Sequence, residues 1–521
     1  MHTAFNSTYT STVAAAANRK KWVPFALVNG VVVVALTTGL LANPHAQPGN
    51  LLYIMALSLI CTLPLAFITS YRGKQSLLIV YLAYYFASFA LQDIFNLLDG
   101  QPAVRFQSEA FMTGGELAVL LGALCFVASY QFIARCIPDH GGTVFARDWS
   151  PNAKLFLGVV FWAVGNFITI KWQFSGADSF SGVTVTNSFT GVLITFRVLQ
   201  PLGTLVVIYH LITTKSRPAL ILFSMIVVAD FFLGFVGDSK ELAMRDLLLY
   251  LFSVVLLRER LPVVKTLVFV LIAGIAFNLF AAYRQIVHSR HESRAEALEN
   301  IDSRLDVIKS SNKSIDERLM GGLKYFTARI NLKSSVDLIV AKTGSDVPFQ
   351  HGRTIEPLLY MFIPRFIFPN KPDSSMAGQL FNWEFKISAS HRTYISTSQV
   401  GELYWNFGWA GVVAGMAMIG AVMAVIASSM RFDVVKTLPR FLFVLMTVYL
   451  LSLRSETALA EVYSVWGRAA VLLFVLNAII PKTPMGALVN TVKEIETSKI
   501  SVRRPVVFRL ANKSKLTIKA S

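Results

Sequence analysis

The sequence predicts an all-α integral membrane protein of about 12 transmembrane helices. Of its 521 residues, 54% are apolar and 15% are charged, and the mean hydropathy is +0.55. This composition excludes a chain of several soluble domains. Stretches of roughly 20 mostly apolar residues, the length that crosses a bilayer, recur along the chain. They lie at 23–42, 50–70, 75–92, 111–134, 155–170, 189–212, 219–237, 240–257, 261–283, 409–430, 441–453 and 462–480.

The basic residues predict which side of the membrane each connection faces, because cytoplasmic loops carry an excess of Lys and Arg. With a cytoplasmic N-terminus, Arg19, Lys20 and Lys21 precede an uncleaved signal anchor. The inner loops then hold Arg72, Lys74, Arg135, Arg147, Lys154, Lys215, Arg217, Arg258, Arg260, Lys265, Arg431, Lys436 and Arg440. Much of the formal net charge of +18 therefore reflects topology, and no nucleic-acid partner is expected.

One connection is far longer than the others. The predicted order is a cytoplasmic N-terminus at 1–22, helices 1–9 at 23–283, a large loop at 284–408, helices 10–12 at 409–480 and a basic cytoplasmic tail at 481–521. By parity the loop faces outward. Its first part carries apolar residues at helical spacing, which predicts a helix. The later stretch 354–372 is apolar but too short to span, and prolines interrupt it, which is typical of a re-entrant or interfacial segment.

Charged residues in or beside the predicted spans lie toward the outer side. Ionisable side chains inside a bilayer are costly and mark functional sites by default. The set comprises Arg197, Asp230, Lys240, Arg245, Arg454, Glu456, Glu461 and Arg468. One interpretation is an electropositive cavity for a phosphate or diphosphate. The other is a set of helix-end residues that reach the interface, with Arg197, about eight residues inside its span, and Asp230 forming one internal ion pair.

The stretch IPRFIFPNKPD, at 363–373, presents two basic residues on a proline-restricted backbone. Arg365 and Lys371 lie about six residues apart in an apolar segment that can dip into the membrane. This arrangement suits the binding of a lipid-linked phosphate at the interface.

The stretch HRTYISTSQVGELYWNFGWAGV, at 391–412, combines ionisable and aromatic residues. His391, with Arg392 beside it, and Glu402 are candidate general bases. Tyr404 offers an aromatic face that suits stacking on a sugar ring. The alternative interpretation is a solvated histidine and an interfacial aromatic belt.

These residues resemble the O-antigen-polymerase type of oligosaccharide repeat-unit polymerase of bacteria. The resemblance rests on the plan of about a dozen spans with a large loop before the last few, on IPRFIFPNKP, on GELYWNFGWAG and more loosely on GDSKELAMRDLLLYL. The O-antigen ligases are similar in layout and usually have a histidine ahead of a glycine in the same loop. His391 and Gly401 lie one residue short of that spacing.

The resemblance implies a multi-pass glycosyltransferase of the bacterial inner membrane, of the C-type, with its large loop in the periplasm. Such an enzyme polymerises undecaprenyl-diphosphate-linked repeat units into a surface polysaccharide and needs neither a nucleotide sugar nor a metal or other cofactor. The expected diphosphate contacts are Arg197, Arg245, Arg365 and Arg392, with His391 or Glu402 as the base. Further candidate substrate-binding residues are Lys240, Lys371, Tyr404, Arg454 and Arg468. The lipid bilayer, a chain-length regulator and a flippase are the expected partners.

Two other functions remain open at this point. A ligase would transfer finished glycan to a lipid core. A transporter or flippase would place its site near the midplane within inverted repeats, whereas this chain shows no internal repeat. The cysteines Cys61, Cys125 and Cys136 have neither the spacing of a zinc site nor that of a redox pair.

Overall fold

The structure is a computed structural model that describes residues 24–43, 46–67, 74–102, 110–137, 145–174, 195–236, 239–258, 315–363, 367–368, 370–388, 394–430, 437–454 and 456–482, with isolated positions at 264–272 and 435. Throughout these residues the chain forms helices, turns and two isolated bridges, and no strand. The prediction of an all-α fold is confirmed.

The helices fall into three groups along the chain. The first group is α1 (Pro24–Ala42), α2 (Pro48–Phe67), α3 (Lys74–Leu98), α4 (Gly114–Cys136), α5 (Pro151–Phe174), α6 (Leu199–Thr214), α7 (Arg217–Val236) and α8 (Lys240–Arg258). The second comprises α9 (Ile315–Ile330), α10 (Lys333–Lys342), a 3₁₀ turn (Glu356–Tyr360) and α11 (Met376–Glu384). The third comprises α12 (Gln399–Ser429), α13 (Leu438–Thr447), which a π-helical turn (Val448–Ser452) continues, and α14 (Leu459–Ile479).

Eight of the described helices are long and apolar enough to cross a membrane: α1, α2, α3, α4, α5, α7, α12 and α14. Helices α6 and α13 are apolar but shorter. This many apolar helices make the chain a multi-pass membrane protein. The total of about 12 spans stays a prediction, and the ninth predicted span, 261–283, lies largely outside the described residues.

Helix α6 begins at Leu199, whereas the sequence predicts a span from residue 189. Residues 175–194 lie outside the described part of the chain, and Arg197 lies in the turn directly before α6. Pro201 occupies the first turn of α6, where the backbone N–H that proline lacks has no helical partner anyway. Arg197 therefore lies in a turn next to the start of α6. Its predicted place about eight residues inside a span depends on residues outside the described part of the chain and stays a prediction.

Helix α12 begins at Gln399, ahead of the predicted boundary at residue 409. The Ser398 hydroxyl caps it by accepting a hydrogen bond from the Gly401 N–H at 3.1 Å. The helix is kinked at Phe407 and Gly408, where Gly408 adopts a φ of 63°. The predicted boundary thus corresponds to the kink, and the residues before it, which the sequence assigns to the loop, are helical.

The described part of the loop packs against one end of the helix bundle, which we call the loop end. Helices α9 and α10 contact α3, and α10 also contacts α4. The approach to α4 is close, since a Cβ atom on Gly115 would lie 2.2 Å from a carboxylate oxygen of Asp337. Only glycine permits this contact, which brings a charged side chain of the loop onto the first turn of a membrane helix.

Several chain connections meet at the same end. The Asn43 amide, after α1, donates to the Gln101 carbonyl, after α3, at 2.8 Å. The Thr113 hydroxyl, before α4, donates to Asp337 of the loop. The Ser398 N–H, at the end of the loop, donates to the Glu456 carbonyl between α13 and α14 at 3.1 Å. The predicted alternation of connections between two sides therefore agrees with the helix order.

Candidate functional site

Six partly accessible charged side chains gather at the loop end, and we call this group the charged cleft: Arg197, Glu241, Arg454, Glu456, Glu461 and Arg468. They come from the turn before α6, the start of α8, the turn between α13 and α14, and the first half of α14. Half of the Glu241 side-chain surface is accessible, although protein atoms surround it closely. The group therefore combines close protein surroundings with partial access from outside the fold.

An ion pair lies at the centre of the charged cleft. The Arg454 guanidinium donates to Oε1 of Glu241, and the Tyr449 hydroxyl donates to the same oxygen. Arg454 also lies over the Tyr449 ring, 5.7 Å from its centroid. These contacts orient Arg454, yet its side chain keeps 22% of its surface accessible. It can therefore contact a ligand without leaving Glu241.

Arg197 lies beside the central pair. Burial lowers the pKa of its guanidinium, the nearby cations Arg454 and Arg245 lower it further, and Glu241 opposes them. A guanidinium stays protonated in spite of such shifts. Within the described residues Arg197 forms no salt bridge, so it is a partly buried cation beside other cations. Such a position favours an anionic ligand.

Arg468 lies further along α14. Its Nε donates to the Ser464 carbonyl at 3.1 Å, and Asp373 and Glu461 lie nearby. The neighbouring Gly467 faces Phe362, whose ring would lie 3.1 Å from a Cβ atom at that position. Gly467 is eight residues into α14, or about 12 Å from its start. The segment around Phe362 therefore lies alongside the part of α14 nearest the loop end, and α14 is a candidate membrane span.

This segment exposes large apolar side chains. Leu359 is 77% exposed, Phe362 58% and Ile367 64%, which is unusual for a loop in water. The predicted re-entrant or interfacial segment, 354–372, therefore has the exposed apolar surface that the prediction requires. Pro364, Arg365 and Pro369 lie outside the described residues.

Glu456 is the carboxylate on the turn between α13 and α14. It accepts a hydrogen bond from the Tyr84 hydroxyl of α3. Burial raises the pKa of Glu456, and the bond from Tyr84 and the neighbouring Arg454 oppose that rise. A partly accessible carboxyl group whose pKa is raised accepts a proton more readily than an ordinary glutamate, which suits a general base.

Asp230 pairs with Arg245, not with Arg197 as one interpretation of the sequence held. Nη2 of Arg245 donates to Oδ2 of Asp230 at 2.8 Å, and its Nε donates to Asp246 at 3.1 Å. Oδ1 of Asp230 accepts from Trp162 and Asn166 at 3.0 and 2.9 Å. The Arg245 side chain is buried and bonded to three partners, the third being Gln200 at 3.3 Å. Together with Asp230 it joins α5, α6, α7 and α8 at the loop end.

Glu402 is completely buried on the first turn of α12. Its Oε2 accepts a hydrogen bond from the Leu459 N–H at 2.7 Å. Leu459 is the first residue of α14, so this carboxylate binds the start of the last helix.

The other predicted site residues are dispersed. Lys371 donates to the Ile363 carbonyl at 2.7 Å. Tyr404 is buried, with its ring edge-on to Trp409 at 5.3 Å between centroids. Lys240 is the first residue of α8. The remaining predictions, Arg365, His391 and Arg392, lie outside the described residues. No group of three or more His, Cys, Asp or Glu side chains in the described part of the chain is arranged to hold a metal ion.

A family model matches residues 171–431, about half of the chain, and its description is a domain of unknown function, DUF8712. The chain belongs to this family. No curated protein and no solved structure matches it. In this DUF8712 protein the matched range includes Arg197, Glu241 and Glu402, and it ends before Arg454 and Arg468. The charged cleft is thus built jointly by the DUF8712 region and the two helices that follow it.

The DUF8712 protein has a second charged group, which the sequence does not reveal and which we call the buried cluster: Lys333, Asp93, Glu116 and Asp337. Lys333 is 1% exposed and pairs with Asp93 and, at 2.9 Å, with Glu116. It also donates to the Asn50 side chain at 3.3 Å. The cluster ties α10 of the loop to α2, α3 and α4.

One sequence signal for the buried cluster was available. Thr113 and Glu116 form a capping box at the start of α4, with each side chain bonded to the backbone of the other residue. The pattern Thr-x-x-Glu before an apolar run marks a helix start. It does not reveal that Lys333, more than 200 residues away, binds the same glutamate.

Asp337 makes the buried cluster sensitive to pH. Burial raises the pKa of Asp337 to about 6 from its ordinary 3.8, and the Thr113 hydroxyl and Lys333 oppose that rise. The folded state holds this proton more tightly than the unfolded state. The contribution of Asp337 to the free energy of unfolding is therefore fully present below about pH 4 and is lost as the pH rises through about 6. The shift of this pKa between the unfolded and folded states corresponds to a free energy on the order of 3 kcal/mol.

We expect the Asp337→Asn variant to remove this component of the pH dependence. Asparagine keeps an acceptor for the Thr113 hydroxyl but carries no charge to desolvate. Thermal unfolding of the detergent-solubilised protein between pH 4.5 and 7.5 measures the effect. As the pH rises over this range, the unfolding temperature of the variant should fall less than that of the unmodified chain. An equal dependence of the unfolding temperature on pH in both proteins would contradict the assignment.

Proposed function

We propose that this protein is a membrane glycosyltransferase that polymerises undecaprenyl-diphosphate-linked oligosaccharide repeat units at the periplasmic side of the bacterial inner membrane. The observation that carries the proposal is the charged cleft, in which Arg197, Arg454 and Arg468 are partly accessible at one end of a membrane bundle. The product would be a surface polysaccharide of the O-antigen, capsule or exopolysaccharide type.

The arginines would bind the donor diphosphate. A guanidinium presents paired donors that match phosphate oxygens, and it cannot lose its charge under physiological conditions. Arg454 is already oriented by Glu241 and Tyr449, so little reorganisation accompanies binding. In the transition state the diphosphate leaves with increasing negative charge, and preoriented cations lower that barrier.

The transfer step also needs a base. An acceptor hydroxyl attacks the anomeric carbon of the donor, the bond from that carbon to the diphosphate oxygen breaks, and the hydroxyl proton passes to the base. Glu402 is enclosed and bonded to Leu459, which argues against direct contact with a substrate. We assign the base to Glu456, which is partly accessible and has a raised pKa, with His391 as the alternative.

The exposed apolar segment supports a lipid-linked substrate. Phe362 packs beside Gly467, next to Arg468 on α14. A prenyl chain in the bilayer would contact this apolar surface while its diphosphate reached the arginine, because Phe362 packs at the level of α14 that carries Arg468. Lys371, which holds the segment through the Ile363 carbonyl, would then act by positioning rather than as a direct ligand.

A deletion strain with a complemented control tests the proposal. Surface glycans are separated on a gel and probed for long chains. We expect the deletion to remove long chains and to leave single repeat units attached to their final acceptor. Loss of all attachment would instead indicate a ligase, and accumulation of lipid-linked repeats on the cytoplasmic side would indicate a flippase. Either result would overturn the proposal.

A further inference from the structure

The start of α14 has no cap of its own. Its N-cap residue, Ala458, has no side chain able to accept a hydrogen bond, and the first N–H groups of a helix have no partner within the helix. The Leu459 N–H instead donates to Oε2 of Glu402 at 2.7 Å. A carboxyl group from α12 thus replaces the missing cap at the start of α14.

The same region is held at further points. The Ser398 N–H donates to the Glu456 carbonyl at 3.1 Å, and the Ser396 hydroxyl donates to the same oxygen. Asn406 donates to the Glu402 carbonyl and to the Thr354 hydroxyl, at 2.7 Å each. The segment before α12 therefore holds the turn between α13 and α14, and Asn406 fixes the first turn of α12, which carries Glu402.

That turn and the helix after it carry most of the charged cleft. Arg454 and Glu456 lie before Leu459, Glu461 lies two residues after it, and Arg468 lies nine residues after it. A rotation or fraying of the first turn of α14 would move these side chains relative to Glu241, which comes from a different helix. The position of the α14 start thus sets the geometry of the cleft.

We propose that Glu402 is a positioning residue that caps α14 from α12 and so holds the charged cleft in register, and that it exchanges no proton with a substrate. This assignment of its role in transfer rests on the proposed function, whereas the capping itself does not. Glu402 is 0% exposed, so it reaches the cleft only through α14.

Two substitutions separate positioning from acid–base chemistry. Glu402→Gln keeps a side-chain oxygen that accepts the Leu459 N–H but cannot serve as a base. Glu402→Ala removes the acceptor and leaves that N–H without a partner. Both variants are made in the full chain, purified in detergent and compared with the unmodified protein by amide hydrogen exchange of the peptide that covers the start of α14.

We expect exchange at the start of α14 to rise about fivefold to tenfold in Glu402→Ala, as for loss of a helix cap, and to stay unchanged in Glu402→Gln. Chain length on the surface-glycan gel should fall in Glu402→Ala and be retained in Glu402→Gln. Unchanged hydrogen exchange in Glu402→Ala would overturn the capping role, and this result does not depend on the proposed function. Normal exchange with loss of polymer in Glu402→Gln would overturn the positioning role and indicate a base.

Discussion

Replacement of Arg468 or Arg454 by alanine is expected to abolish long polymer. Each side chain is a partly accessible cation of the charged cleft, and loss of one preoriented donor to a leaving group typically lowers turnover by about 10² to 10³-fold. In a complemented deletion strain, the gel of surface glycans should show single repeat units and few long chains for either variant. Arg468→Lys should give an intermediate result, because lysine keeps the charge but not the paired donors.

The matched control is Arg217→Ala, at the opposite end of the bundle. Arg217 is an exposed arginine at the start of α7, so its loss should leave the glycan pattern unchanged. All variants are compared after immunoblots confirm equal amounts in the membrane fraction. Full-length polymer from membrane-inserted Arg468→Ala and Arg454→Ala variants would rule out the charged cleft as the diphosphate site.

The Lys333→Met variant is expected to show the largest loss of stability of any single substitution proposed for this chain. It would leave Asp93, Glu116 and Asp337 buried without their cation. Removal of one partner from a buried ion pair costs about 3–5 kcal/mol. Because α10 would lose its ion pairs with α3 and α4, the thermal midpoint in detergent should drop and the loop should become more sensitive to limited proteolysis.

An exposed ion pair in the same loop provides the control. Lys324 of α9 pairs with Asp99 at 2.7 Å, and their side chains are 58% and 56% exposed. Such pairs contribute at most about 1 kcal/mol, so Lys324→Met should leave the midpoint almost unchanged. Equal midpoints for Lys333→Met and Lys324→Met would show that the buried cluster does not hold the loop.

The apolar segments were predictable because each is a local property of the chain. The predicted spans at 50–70, 75–92 and 111–134 correspond to α2, α3 and α4. Their ends were less predictable, since the serine cap of α12 places the start of that helix ahead of the predicted boundary. A single capping contact therefore changed Glu402 from a loop residue into a helical one.

The partners of the charged residues were not predictable to the same extent. The sequence places Arg197, Asp230 and Arg245 at a similar depth in the predicted helix bundle. Depth alone does not determine which side chains of neighbouring helices contact each other. Asp230 binds Arg245 because α7 and α8 are adjacent and antiparallel. Arg197 therefore forms no salt bridge among the described residues. Its neighbours Glu241 and Arg454 make it part of the charged cleft.

By itself the sequence determined that this is an all-helical, multi-pass membrane protein with charges collected near one side, because hydropathy and charge position are read along the chain. Only the tertiary structure decided which charges are structural and which face the charged cleft. Lys333 meets Asp93 across 240 positions and Glu402 meets Leu459 across 57. The reason is physical: the cost of a buried charge depends on the partners that folding brings to it.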